Sequence, residues 1–178
     1  MTYEESIMRT GSEWSSMDCS ERLSALQAIE DRMALESERF ACPVESREMR
    51  SVGNGISLGC FDPSSGRIYI NSSQLEPGSK YGDDPKMLIT ACLHEGRHSY
   101  QHQSVNGAVI HSDREECERW KENFDNYITF KENPRAYYEQ PVEADAREFA
   151  EMRYDLIDEE RRQLTEEHTE ENELGMGF

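Results

Sequence analysis

Asp84-Pro85-Lys86-Met87-Leu88-Ile89-Thr90-Ala91-Cys92-Leu93-His94-Glu95-Gly96-Arg97-His98-Ser99-Tyr100-Gln101-His102-Gln103 decides the fold. Asp84 supplies an N-cap oxygen and Pro85 suits the first helical position, so a helix is expected over about 85–103. His94 and His98 are four residues apart, which puts both imidazoles on one helix face, one turn apart. Glu95 follows the first of them and points beside that pair. Gly96 inside a helix costs about 0.8–1.0 kcal/mol relative to alanine, so a close neighbour is expected there.

Working outward, Asp18 and Glu21 form a capping box. Leu23, Leu26, Ile29 and Met33 then recur at helical spacing, predicting a helix over about 19–40 that ends near Pro43. Residues 44–60 carry Gly53, Gly55 and Gly59 around short apolar pieces. The turn signal Phe61-Asp62-Pro63-Ser64-Ser65-Gly66 separates expected strands at about 56–61 and 67–71. The strand Ile68–Asn71 is expected to lie at a sheet edge, open to pairing with an extended chain. Residues 72–83 and 104–112 read as loops. A helix is expected over about 113–131, broken at Asn133-Pro134. A last helix over about 141–166 has the apolar stripe Val142, Ala146, Phe149, Ala150, Leu156 and Ile157. The expected organisation is a loosely ordered N-terminus at 1–17, one domain at 18–166, and an acidic flexible tail at 167–178. The fold class is α+β: a small antiparallel or mixed sheet packed on the histidine-bearing helix, with a mostly helical C-terminal half.

Two imidazoles one helical turn apart can reach one Zn²⁺ at about 2.0–2.1 Å from their nitrogens. The pattern His-Glu-x-x-His is a metallopeptidase motif, in which the glutamate takes a proton from a metal-activated water. A third protein ligand is required. His102 lies ~12 Å along the axis from His94, too far to share the ion. His111 sits in a loop, and His168 in the acidic tail. Cys60 would give a cysteine-and-two-histidine site. The strongest candidates are Glu143 and Asp145, early in the last helix and on opposite edges of its stripe. Periodicity leaves both open. Glu143 has the longer reach and is preferred, with Asp145 as an outer acceptor for a ligand histidine.

His-Glu-x-x-His followed by a downstream helical glutamate resembles the gluzincin class of zinc peptidases. Glu143-x-x-Ala146-x-x-Phe149-Ala150 is similar to the ExxAxxFA signature of ImmA/IrrE-like peptidases. The resemblance spans roughly 68–150 and rests on these two motifs. It implies a zincin-like metallopeptidase domain, with His94, His98 and Glu143 as zinc ligands and Glu95 as acid/base. Arg97 stands where that family usually has glycine, and Arg147 where it often has asparagine. Small metallopeptidase domains of bacterial toxins and effectors look similar too.

The expected reaction is hydrolysis of a peptide bond in a protein or peptide substrate. Glu95 serves as general base and then acid, and Tyr138 or Tyr137 as a neutral hydrogen-bond donor. A deformylase-like amidase built on Cys60 is the alternative enzyme. An acidic, non-catalytic interaction protein on a degenerate zincin fold is the alternative binder.

Composition sets bounds. The 178 residues hold 37 acidic and 19 basic side chains, a net charge of −18, which disfavours nucleic-acid binding. No run approaches the ~20 apolar residues of a membrane span. The acidic start Met1-Thr2-Tyr3-Glu4-Glu5-Ser6 is no signal peptide, so a cytoplasmic protein, or an effector exported without a leader, is expected. Cys19, Cys42, Cys60, Cys92 and Cys117 form no paired motif and read as reduced thiols, mostly buried.

Overall fold

The computed structural model describes residues 1–49 and 55–175, so Gly53 and residues 176–178 lie outside the described residues. In chain order its elements are α1 (Tyr3–Ser12), α2 (Cys19–Glu36), β1 (Val44–Arg47), β2 (Gly59–Asp62), β3 (Arg67–Asn71), α3 (Ser72–Leu75), α4 (Pro85–Val105), α5 (Arg114–Asp125), α6 (Pro134–Glu139) and α7 (Pro141–Gly175). The fold is α+β and mostly helical, with one small mixed sheet. Among the described residues no helix is long and apolar enough to cross a membrane.

α4 is the central helix. The Asp84 carboxylate caps it, accepting from the Lys86 N–H at 2.9 Å. Its buried face runs through Leu88, Ile89, Cys92, Leu93, Gly96 and Ser99, against α2, α7 and the sheet. Each fully buried Leu or Ile contributes about 1.5–3 kcal/mol. That burial, more than intrinsic propensity, holds a helix that contains a glycine.

The sheet has the order β1-β3-β2. β3 runs parallel to β1, with Val44 opposite Ile68, and antiparallel to β2, with Phe61 opposite Ile68. Asp62 builds the β2–β3 turn by accepting from the Ser64 N–H and from the Ser64 and Ser65 hydroxyls, and Gly66 takes a left-handed φ of 67°. Ile68 and Ile70 are fully buried. The expected edge strand is therefore central: β3 is paired on both sides, and β1 and β2 are the edges. β1 was not expected, because only Val44 of its four residues is buried and no alternation marks it.

The N-terminus is ordered, in contrast to the expectation for 1–17. Thr2 and Glu5 form a capping box for α1, and Ile7, Trp14 and Met17 enter the core. The anchor is Arg22, fully buried, which donates to the carbonyls of Trp14, Leu75 and Gly82. Trp14 Nε1 also donates to the Gly82 carbonyl at 2.6 Å. Leu75 and Gly82 are more than fifty residues from Arg22, beyond the reach of local periodicity.

α2 stops at Glu36 rather than 40, because Glu38 turns left-handed at φ 52°. The third expected helix stops at Asp125, six residues early. From there to α6 the chain is a loop clamped by the buried Gln140. Its Oε1 accepts from the Asn123 side chain and the Ile128 N–H, and its Nε2 donates to the Ile128 carbonyl. α7 continues past 166 to Gly175, so the first part of the expected flexible tail is helical. All five cysteines are free. Cys42 and Cys92 are buried and the other three half-buried.

Candidate functional site

Two imidazole nitrogens and one carboxylate converge where α4 meets the start of α7. His94 Nε2 and His98 Nε2 are 3.0 Å apart, and the Glu143 carboxylate oxygens lie 3.2 Å from the first and 3.3 Å from the second. His94, His98 and Glu143 form the group among the described residues that could hold a metal ion. Ligands about 2.0–2.1 Å from a tetrahedral ion sit about 3.3 Å from one another, close to these separations. Two imidazole nitrogens and one carboxylate oxygen are also a donor set that zinc takes in open, three-ligand sites.

Local structure produces this convergence. The helical turn between His94 and His98 sets their rings 4.6 Å apart, edge to face. Glu143 enters from the first turn of α7 and is 2% exposed. Burial pushes its pKa up, but the hydrogen bonds from His94, His98 and Tyr127 outweigh this and hold it far below the carboxylate range. Burial pushes the His98 imidazole down, but the Glu143 hydrogen bond and the Glu95 charge outweigh it, so its pKa is raised.

The group lines a cleft of about 490 Å³ whose walls include Gly59, Phe61, Glu95, His102, Phe124, Tyr127 and Tyr137. The Phe61 N–H of β2 points into the cleft and donates to Glu95 Oε2 at 2.7 Å. Gly59 makes room: a Cβ there would sit 3.2 Å from Glu95 Cγ. Gly96 answers the close-neighbour expectation. A Cβ on it would meet Glu30 Oε2 at 2.7 Å and Arg39 Nη2 at 3.0 Å, which belong to an ion pair almost wholly buried.

Asp145 reaches neither His94 nor His98 directly. It accepts both prongs of the Arg97 guanidinium, at 2.8 and 2.9 Å. His98 Nδ1 instead meets Gln101 Oε1 at 2.8 Å, and Gln101 Nε2 contacts Asp145 at 2.6 Å. Arg97 also lies over the rings of Tyr100, Trp120 and Phe149.

Tyr138 lines a neighbouring pocket with His94 rather than this cleft. Its ring is exposed, stacks under Arg147 and lies outside this cleft. The phenols in the cleft are Tyr137 and Tyr127, and the Tyr127 hydroxyl donates to Glu143 Oε1 at 2.5 Å. Burial and the Glu143 charge push the pKa values of both well above the usual phenol value. Sequence reasoning missed Tyr127 because it counted that residue inside a helix. No local signal marks the helix end before Tyr127.

Of the other candidates, His102 lines the cleft, stacked on Phe124 with ring centroids 4.0 Å apart. His111 is held by the Tyr100 hydroxyl and Glu116, and His168 is exposed on distal α7. Cys60 also lines the cleft, but its Sγ accepts from Arg47 Nη2 at 2.8 Å and is not part of the converging group. Compared with protein-family models, curated proteins and solved structures, the chain matches none.

Proposed function

We propose that this protein is a zinc-dependent endopeptidase of zincin type, with His94, His98 and Glu143 holding the metal and Glu95 acting as general base and then acid. The observation that carries this reading is the convergence of His94 Nε2, His98 Nε2 and the Glu143 carboxylate, with the nitrogens 3.0 Å apart and 3.2 and 3.3 Å from Oε2 and Oε1 respectively, on a cleft that Glu95 also lines. Zinc bound there supplies a water acidified to a pKa of about 7 and a Lewis acid for the scissile carbonyl.

The chain's own groups supply the rest. The Phe61 N–H pins one oxygen of Glu95 and leaves Oε1 to take the proton of the attacking water and deliver it to the leaving amine. β2 offers an outward strand edge along which an extended peptide can lie. Tyr137 stays protonated at neutral pH, so its hydroxyl can donate to the substrate carbonyl oxygen as charge develops on it, while Tyr127 spends its one proton on Glu143. The walls Phe61, His102 and Phe124 give the cleft an apolar side suited to a protein or peptide substrate. Cys60 stands apart from the converging donors, which favours this set over a cysteine-ligated amidase.

The test is metal content combined with one substitution. The purified protein should take up one equivalent of zinc and show chelator-sensitive cleavage of a mixed peptide library. Glu95→Gln should keep the zinc and lose the cleavage by at least about 100-fold. Failure to bind zinc, or unchanged turnover in Glu95→Gln, overturns the reading.

A further inference from the structure

We infer that Gln101 is a positioning residue that sets the tautomer of His98, and through it the geometry of the zinc site. The inference rests on the metal-site reading above and adds a residue outside the His-Glu-x-x-His motif.

The amide of Gln101 has one workable orientation. Its side chain is fully buried. Nε2 lies 2.9 Å from the Val142 carbonyl oxygen and 2.6 Å from Asp145 Oδ2. Both are acceptors, and Asp145 is already receiving N–H groups from Arg97. A flipped amide would set its oxygen against two other oxygens in a buried place, at a cost that no partner offsets. The NH₂ therefore faces Val142 and Asp145, and Oε1 faces His98 Nδ1.

An acceptor at Nδ1 requires the His98 proton on that nitrogen. The Nε2 lone pair is then free, and Nε2 is the atom aimed at His94 and Glu143. The chain of donors and acceptors runs from His98 to Gln101 to Asp145, with Arg97 forked onto the last. The charged end polarises the amide, strengthens Oε1 as an acceptor and makes His98 a better electron-pair donor. Residues 97, 98 and 101 of α4 thereby meet 142 and 145 of α7 in one network, and Glu143 projects from the same turn.

The experiment compares wild type with Gln101→Leu and Asp145→Asn, using zinc alone as the probe. Zinc affinity is measured by competition with a chromophoric chelator. The ring nitrogens of His98 are read from long-range ¹H–¹⁵N spectra of the zinc-loaded protein. Leucine approximates the volume of glutamine but offers no acceptor. Gln101→Leu should weaken zinc binding about 10–100-fold and lose the protected Nδ1 proton of His98. Asp145→Asn keeps an oxygen for Gln101 and should lose less affinity, with the ring pattern intact. A purely structural Gln101 would lower the melting temperature while leaving affinity and ring pattern unchanged, and that result overturns the inference. Equal or greater affinity loss in Asp145→Asn assigns the effect to the ion pair and also overturns it. If Gln101→Leu does not fold, the wild-type spectrum decides: metal on Nε2 with the proton on Nδ1 supports the role, and metal on Nδ1 refutes it. Wild type that binds no zinc removes the metal-site reading itself, an outcome distinct from wild type and Gln101→Leu binding equally.

Discussion

Arg97 grips both carboxylate oxygens of Asp145, and this ion pair spans the α4 turn that carries the histidines and the α7 turn that carries Glu143. Both side chains are mostly buried, at 15% and 19% exposed, and three aromatic rings surround the guanidinium. Lysine cannot reproduce a planar fork or its stacking. Arg97→Lys should therefore destabilise the apo protein by about 1–3 kcal/mol, discounted from a fully buried pair because both groups touch solvent. Urea unfolding checks this. A loss below about 0.5 kcal/mol would mean that the pair is solvated and does not brace the two helices.

Gly96→Ala pits two effects against each other. Alanine gains about 1 kcal/mol of helix propensity. Its methyl group would meet Glu30 Oε2 at 2.7 Å, and Glu30 is fixed by both prongs of Arg39 and by the Cys42 N–H. Displacing a buried ion pair costs about 3–5 kcal/mol when it breaks and less when it shifts. The clash wins, and a net loss of about 1–3 kcal/mol is expected. Thermal melting of Gly96→Ala tests the sign. A raised melting temperature would show that the ion pair yields freely.

The legible part of this site was the part governed by local rules. The Asp84-Pro85 start and the i, i+4 histidine spacing belong to one helix and need no tertiary information. The choice between Glu143 and Asp145 was not local, since both lie on edges of the α7 stripe. It follows from which acid Arg97 takes, and that depends on how α4 and α7 pack. Tyr127 was hidden for a related reason: the pattern of α5 carries no strong stop at Asp125, and the chain leaves the helix there because Gln140, fifteen residues on, clamps it. The ordered N-terminus depends on Arg22 binding carbonyls that only the folded chain assembles.

Tyr127 and Tyr138 should separate cleanly on substitution. Removing the Tyr127 hydroxyl deletes the donor to Glu143 Oε1 and one of the two phenols in the cleft. Tyr127→Phe should loosen Glu143 and lower zinc affinity and kcat by about 10–100-fold. Tyr138→Phe removes an exposed hydroxyl outside the cleft and should leave both within about twofold of wild type. Peptide cleavage and zinc titration of the two variants decide it. A larger kcat loss in Tyr138→Phe would restore that residue to the mechanism and remove Tyr127 from it.

The apo and zinc-loaded proteins should respond to pH in opposite directions. In the apo protein the His98 pKa is raised, so its contribution to stability is full below the ordinary imidazole value of about 6.5 and is lost as pH climbs through the folded value. The Glu143 pKa is lowered, so its contribution is present above the ordinary carboxylate value of about 4.3 and is lost only as pH falls far below it. Together they stabilise the apo fold most between about 4.3 and 6.5. Zinc needs His98 unprotonated at Nε2, so binding releases protons and tightens as pH rises through that raised value. The gap between zinc-loaded and apo melting temperatures should therefore widen from pH 6 to pH 8 by ordinary linkage, and at a pH where free zinc is in hundredfold excess over its dissociation constant the total stabilisation is about 2.7 kcal/mol. Scanning fluorimetry of both forms across that range measures it. A gap that is constant or narrows would mean that zinc does not displace a proton from this site, and the ligand assignment would fall with it.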